Sequence, residues 1–458
     1  MSWLDRERTV AGPGFSRWLV PPAALAIHLC IGQAYAFSVF NLPMSKLIGI
    51  TKPAPDDWKL TTLGWIFSIA IVCLGLSAAF GGKWLERVGP RKAMLASALC
   101  FGGGFMVAAV GVQLHQIVLV YLGYGVLGGT GLGLGYISPV STLIKWFPDR
   151  PGMATGMAIM GFGGGAMIGA PLAVTLMARF ASPTNIGVSG AFVVMGIVYF
   201  LFMLFGVVSV RVPPADWKPE GWQPSTVQRK LVTSAQVTAD EAIKTRQFWF
   251  LWMVLFLNVT AGIGVLGQAS AMIQESFPGV ITAVAAAGFV GLLSIFNMGG
   301  RFFWSSLSDK LGRKVTYAIY FALGAVLYAL VPSAAKAHSV PLFVAGYCVI
   351  LSMYGGGFAT IPAYLRDLFG TLQVGAIHGR LLTAWSAAGI AGPALINYIR
   401  EYQIAHGVPP SQSYSVTLYL LAGLLVVGFF CNLAVTAVDA VHHAREPALA
   451  PALVRRAS

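Results

Sequence analysis

The stretch VITAVAAAGFVGLLSIFNMGGRFFWSSLSDKLGRK, Val280–Lys314, decides how the chain is read. Its first part is apolar over enough residues to cross a bilayer, which takes ~20 residues as a helix. Inside that run stands one charge, Arg301, with Asn297 four residues earlier. Residues i and i+4 share a helix face, so both side chains can point to one spot. After the span comes a short polar, basic segment, Ser305–Lys314, which reads as a turn. One helix therefore carries a charge suited to a substrate, and its end carries a candidate gating loop. A charge at a helix centre costs about 3 kcal/mol to insert and usually faces a bundle interior or a water-filled path. The competing reading of Arg301 is snorkelling: Asp309 marks the nearer end of the span, ~12 Å away along the helix.

The rest of the chain reads the same way. Of its 458 residues, 57% are hydrophobic and 10% charged, where soluble domains carry about 25% charged residues. Six candidate spans fall near 18–42, 61–80, 93–112, 117–140, 152–178 and 188–211. Six more fall near 247–273, 281–305, 314–333, 340–364, 376–398 and 415–438. The expected fold is an all-α polytopic membrane protein, with twelve transmembrane helices in two six-helix bundles. The bundles occupy 1–211 and 246–458, joined by a polar linker over 212–245, and a polar tail with Arg455 and Arg456 ends the chain. The first apolar run is about 25 residues, longer than the 7–15 of a signal-peptide core, so it reads as a retained span.

A net charge of +14 could suggest a nucleic-acid partner. Its placement says otherwise. With both termini cytoplasmic, six of the 30 Lys and Arg fall outside: Lys46, Lys52, Lys59, Arg179, Lys336 and Arg400. Arg301 lies within a span, and all the others fall inside. Such an asymmetry sets orientation. The charge is topology, and the extended partner is lipid rather than nucleic acid. Cys30, Cys73, Cys100, Cys348 and Cys431 lie in apolar runs without metal-like spacing and read as small core hydrophobes. No metal or other cofactor is implied.

The two halves repeat. Gly82–Gly89 follows the second span and Ser305–Gly312 the eighth, at an offset of 223 residues. Gly152 and Gly156 answer Gly375 and Gly379, and Pro139 answers Pro362, at the same offset. A six-plus-six repeat implies a site between the halves near the midplane, exposed to each side in turn.

On these residues the chain resembles the major facilitator superfamily. GKWLERVGPRK at Gly82–Lys92 is similar to that family's loop between spans 2 and 3, with Glu86 where Asp is usual. SSLSDKLGRK repeats it between spans 8 and 9. The resemblance implies gating roles for Glu86, Arg87, Arg91, Asp309, Lys310 and Arg313. A carboxylate there can bind helix ends and hold one conformation through charge pairing and the helix dipole.

A closer resemblance is to the oxalate/formate antiporter and bacterial monocarboxylate transporter branch. It rests on Gly32–Phe40 (GQAYAFSVF), on Gly133–Tyr136, on Lys145–Gly152 (KWFPDRPG), on Asn297 and Arg301, and on Gly379–Trp385 (GRLLTAW). It implies that Arg301 binds a substrate carboxylate. Trp385 stands where the oxalate antiporter has a second cation, which sets a monocarboxylate reading against a dicarboxylate one.

Tyr35, Tyr136, Tyr354, Phe358 and Trp385 also fall inside spans. Packing is the ordinary role of membrane aromatics. Boxing a small anion is the functional one, and the family positions favour it for Tyr35, Tyr136 and Trp385. Gln33 could donate to a carboxylate as a tyrosine can. His28 reads as a hydrogen-bonded core residue rather than a proton relay. Glycines at spacings of four, such as Gly125, Gly129 and Gly133, let helices approach closely. All sixteen acidic residues fall in loops, tails or span ends, with Glu275 and Asp439 at the border. That argues against a cation pump, which needs buried negative charge.

The expected function is secondary active transport of small organic anions, foremost monocarboxylates, by alternating access around Arg301. The alternatives are an oxalate/formate-type dicarboxylate antiporter and a transport-dead solute sensor on the same fold. An enzyme is not expected, because no acid–base or metal cluster lies at one depth. The expected partners are a small carboxylate and membrane lipid, with the proton as a candidate coupling ion. A monomer in a bacterial inner membrane is the expected setting.

Overall fold

The computed structural model describes residues 3–215, 217–223 and 231–444. The tail with Arg455 and Arg456, and linker positions 216 and 224–230, lie outside the described residues. Lipid offers no hydrogen bonds to a backbone, so apolar runs of this length must satisfy their own amides as helices.

Six helices build the first half: α1 (Arg17–Met44), α2 (Leu60–Val88), α3 (Pro90–Gln113), α4 (Ile117–Trp146), α5 (Pro151–Phe180) and α6 (Val188–Ser209). Six build the second: α7 (Arg246–Ser276), α8 (Ala283–Leu311), α9 (Arg313–Lys336), α10 (Val340–Phe369), α11 and α12 (Pro410–Leu433). Among the described residues, eleven helices are long and apolar enough to cross a membrane. The twelfth position is held by α11, which runs as Val374–Leu381 and Thr383–Ala405 with a break at Leu382. No strand forms among the described residues. The chain is an integral, multi-pass membrane protein.

Two expectations about the spans need correction. The segment Ser305–Lys314 is not a turn: α8 continues as helix through Leu311, and α2 likewise through Val88. Polar side chains are no obstacle to a helix once it has left the hydrocarbon. Each helix stops only at a glycine, Gly312 at φ 87° and Gly89 at φ 85°. Glycine takes that backbone without the Cβ penalty other residues meet. The next helix starts at once.

The repeat extends to packing. Arg91 Nη2 donates to the Val210 carbonyl at 3.3 Å, and Lys314 Nζ donates to the Leu433 carbonyl at 2.7 Å. Both pairs are related by the offset of 223 residues. In each half a cation from the third or ninth helix meets the unsatisfied carbonyls that close the sixth or twelfth.

The halves meet mainly where α5 packs on α8 and α10, and where α2 packs on α11. Ser386 Oγ of α11 donates to the Ile71 carbonyl of α2 at 2.9 Å. The linker follows the end of α10, where Val237 N donates to the Phe369 carbonyl at 2.9 Å. A short linker helix, Ala239–Ala242, then presents Asp240 to both halves. Its carboxylate takes Lys83 of α2 at 2.5 Å and Arg380 of α11 at 2.7 Å. Hydrogen bonds from Lys83 and then Arg380 hold the Asp240 carboxyl below the usual carboxylate range.

Candidate functional site

Five side chains from five helices share one depth. Tyr136 lies ten residues before Trp146, the end of α4, and Phe162 eleven after Pro151, the start of α5. Arg301 lies ten before Leu311, Phe358 eleven before Phe369, and Trp385 eleven after Val374. At 1.5 Å per residue each sits ~15–17 Å from the end of the molecule that bears Gly89 and Gly312. That is about half of a ~30 Å hydrocarbon layer.

Arg301 does not snorkel. It is fully buried, at 0% exposure. Its guanidinium lies 5.7 Å from the ring centre of Phe162 and 5.2 Å from that of Phe358, one ring from each half. Nε donates to Asn297 Oδ1 at 3.1 Å, as the i, i+4 spacing predicts. Nη1 and Nη2, the two forked nitrogens, have no hydrogen-bond partner. Buried polar atoms are paired in more than nine cases of ten, so two free donors on one buried cation mark the site. α5 comes close here because residue 163 is glycine. A Cβ on Gly163 would stand 3.0 Å from Arg301 Nε and 3.1 Å from Met298 Cα.

Trp385 forms the hub of an aromatic box. Its ring centre lies 4.6 Å from Phe358, 5.3 Å from Phe162, 5.4 Å from Tyr136 and 6.3 Å from Tyr35. The hydroxyls of Tyr35 and Tyr354 meet across the halves at 3.1 Å. Trp385 Nε1 and the Tyr136 hydroxyl are buried without partners. The Tyr35 and Tyr136 hydroxyls face the Arg301 guanidinium and share its field, without closing to a well-formed hydrogen bond.

Seven of the eight expected binding residues are thus brought together: Arg301, Asn297, Tyr35, Tyr136, Tyr354, Phe358 and Trp385. Gln33 is not. It turns into the first half, where its Oε1 accepts from Tyr124 at 3.1 Å. The stretch Gly32–Phe40 winds as a tighter 3-10 helix, so its side chains do not follow α-helical spacing. His28 is buried; its ring nitrogens make no close hydrogen bond, and the Tyr136 backbone is the polar group that faces them. Sequence reasoning missed Phe162 and His378. The signal for Phe162 was a single bulky residue in the glycine run 161–165. His378 lay at the edge of the expected span 376–398, whereas α11 starts at Val374 and buries it.

The gating residues divide. Asp309 of α8 caps the start of α5 in the other half, where its carboxylate accepts from Gly152 N at 2.8 Å and Met153 N at 2.9 Å. Glu86 of α2 does the same for α11, accepting from Gly375 N at 3.1 Å and pairing with Lys145 at 3.0 Å. Each half's acid therefore caps a helix of the other. Arg313 holds Asp309 at 2.6 Å and Asp367 at 3.1 Å within the second half. Arg91 anchors the N-terminal segment instead, donating to the Trp3 carbonyl at 2.7 Å. Arg87 and Lys310 are exposed, and neither forms an ion pair among the described residues. Asp367 and Lys145 were not expected in the latch.

The caps join the two halves at this end. An anion at a helix N-terminus contributes typically up to about 1 kcal/mol, or roughly fivefold in the closed-to-open ratio. Asp309→Asn is expected to speed labelling of a cysteine placed at Thr155, buried behind the cap, by about that factor. An unchanged labelling rate would show that Asp309 holds nothing closed.

Residues 23–393 match the family model of the Major Facilitator Superfamily. The oxalate:formate antiporter of Oxalobacter formigenes is 27% identical over 384 residues, 83% of this chain and 84% of that protein. Apicoplast pyruvate carrier 1 of Toxoplasma gondii is 25% identical over 435 residues, 82% of this chain and 76% of that protein. Among solved structures, the E. coli fucose:proton symporter covers 92% of this chain and 100% of its own at a TM-score of 0.64. At 13% identity that likeness concerns the fold alone.

Proposed function

Because the chain belongs to the Major Facilitator Superfamily, and is therefore a transporter rather than an enzyme, we propose that it carries small organic anions by alternating access, with monocarboxylates preferred. The observation that carries this reading is the pair of unpartnered Arg301 nitrogens, buried at mid-depth between rings from both halves. An unpaired buried cation is costly, and an entering anion relieves it. The guanidinium fork matches a carboxylate through two parallel hydrogen bonds. Two relatives named for oxalate, formate and pyruvate support the substrate class. The apolar hub at Trp385 supports one carboxylate rather than two, since among the described residues no lysine or second arginine faces Arg301 inside the box.

The mechanism follows from the site's position. Binding at Arg301 draws Phe162 of the first half and Phe358 of the second onto one anion. Release of the Asp309 and Glu86 caps then lets the halves rock and expose the site at the latched end. We assign that end to the cytoplasm, because it carries the basic side of the charge asymmetry. Both termini are then cytoplasmic, in a bacterial inner membrane, and the chain works as a monomer.

Uptake into proteoliposomes tests the function. Acetate and pyruvate are expected to be taken up saturably, and oxalate more weakly. Strong oxalate–formate exchange would instead favour the dicarboxylate antiporter. Binding of these anions without any uptake or counterflow would favour the solute sensor. Orientation has its own test on a cysteine-free background. A cysteine at Pro55 should react with an impermeant reagent in intact cells and one at Glu220 should not; the opposite pattern inverts the topology.

A further inference from the structure

The unpartnered polar atoms around Arg301 extend to two histidines that anion binding does not use. His28 of α1 lies 5.2 Å from the Tyr136 ring, and His378 of α11 lies 5.8 Å from the same ring. Both are buried, at 0% and 1% exposure. His28 Nδ1 and Nε2, His378 Nε2 and the Tyr136 hydroxyl all lack hydrogen-bond partners. His28 also lies 6.4 Å from Phe162, the ring beneath the Arg301 guanidinium. It is within electrostatic reach of both Arg301 and His378. These basic nitrogens lie beside the free guanidinium. We propose that His28 and His378, packed on either side of Tyr136, form the proton-binding site of this transporter, charge-linked to the anion at Arg301.

The proposal rests on the anion reading of Arg301 and adds its coupling ion. The groups that face the two imidazoles leave few other bases. Around His28 stand Tyr136 of α4, Arg301 of α8 and His378 of α11, while Tyr199 of α6 turns to Phe101 and Phe105. Around His378 stand Tyr136 of α4 and, within electrostatic reach, His28 of α1. The carboxylates towards the latched end of α2, α10 and the linker helix are in ion pairs: Glu86 with Lys145, Asp367 with Arg313, Asp240 with Lys83 and Arg380. Tyr364 packs against Tyr317. Imidazole is the side chain whose ordinary titration falls between pH 5 and 8.

The linkage is electrostatic. In the empty site Arg301 is positive and opposes a second positive charge at His28. A bound carboxylate cancels that charge, so an imidazole nitrogen can then take a proton from water. The loaded site carries one net positive charge, as the empty one does, and the halves rock past the same electrostatic barrier either way. The Tyr136 hydroxyl can donate to a neutral imidazole or accept from a protonated one, and its ring packs on both. His378 lies four residues from the start of α11, so it is the imidazole nearer the latched end. Reciprocity requires the proton to tighten anion binding by the same factor that the anion tightens proton binding.

Calorimetry on the purified protein in lipid nanodiscs tests this, with acetate, pyruvate and oxalate as probes. Titration in two buffers of different ionisation enthalpy reads the protons taken up per anion. The expected result is proton uptake that grows towards about one proton per anion as the pH is lowered from 7, with affinity falling as the pH rises, by up to about tenfold per pH unit. His28→Gln should remove the proton uptake, and His378→Gln should reduce it. Binding without proton uptake in the unaltered protein would overturn the proposal and leave the Arg301 reading standing. Uptake that persists in both variants would also overturn it, because the proton would then ride elsewhere. No binding of any of the three anions would remove both readings. The unaltered protein supplies the first measurement, so a variant that fails to fold does not spare the proposal.

Discussion

Arg301→Gln should abolish anion uptake in reconstituted vesicles, with the protein still reaching the membrane in normal amount. Glutamine is easier to insert than arginine, so biogenesis is not the weak point. What is lost is the arginine cation that faces the aromatic box at mid-depth. Removing one partner of a buried charge pair costs on the order of 2–5 kcal/mol of binding, or roughly thirty- to several-thousand-fold in affinity. The guanidinium also lies between Phe162 and Phe358, and each such contact contributes about 0.5–2 kcal/mol. The variant thus loses an anchor between the halves as well as the substrate's counter-charge. Arg301→Lys is the informative companion. It keeps the charge but presents no planar fork, so weak binding at best is expected. Full uptake by Arg301→Gln, at normal protein levels, would end the anion-site reading and return Arg301 to a structural role.

Trp385→Lys should reverse the order of preference between monocarboxylates and oxalate. The indole is fully buried and packs against four other rings, three from the first half and one from the second. It offers a carboxylate apolar surface and one N–H donor. A lysine there would place a second cation near Arg301, which an empty site or a monoanion tolerates poorly and a dianion neutralises. Charge pairs of this kind are worth at least ~1.5 kcal/mol, so oxalate should gain about tenfold relative to acetate. Losing the indole also removes core packing, at a cost of about 3–5 kcal/mol for a Trp truncation. The comparison is therefore a ratio of two anions measured on one folded preparation. Trp385→Phe controls for the ring, since it keeps the box and drops only the N–H. Tight oxalate binding by the unaltered protein, or an unchanged ratio in Trp385→Lys, would refute the selectivity role.

The fold, the repeat and Arg301 were legible in the sequence, each for a local reason. Apolar runs of ~20 residues must become helices in lipid, whatever their neighbours. The offset of 223 residues, read on three landmarks, recurs in φ at Gly89 and Gly312 and in the carbonyl anchors of Arg91 and Lys314. A lone arginine in an apolar run needs a reason, and Asn297 one turn away already pointed at its face. What the sequence could not carry was how each helix is rotated and which residues meet across the halves. Asp309 reaches the start of α5, 157 residues away, and Glu86 reaches α11, 289 residues away. Hydropathy is blind to both contacts, because an acid at a span end looks the same whether it faces water or a helix N-terminus. Gln33 and Phe162 show the same limit from opposite sides. The 3-10 winding of α1 turns Gln33 into its own half, while the glycines beside Phe162 let α5 press that ring against Arg301. Sequence by itself settles which segments enter the membrane, since that is a property of each segment's transfer free energy. Only packing decides which buried polar atoms find partners, and at mid-depth those left without them include both forked nitrogens of Arg301, the Tyr136 hydroxyl and Trp385 Nε1.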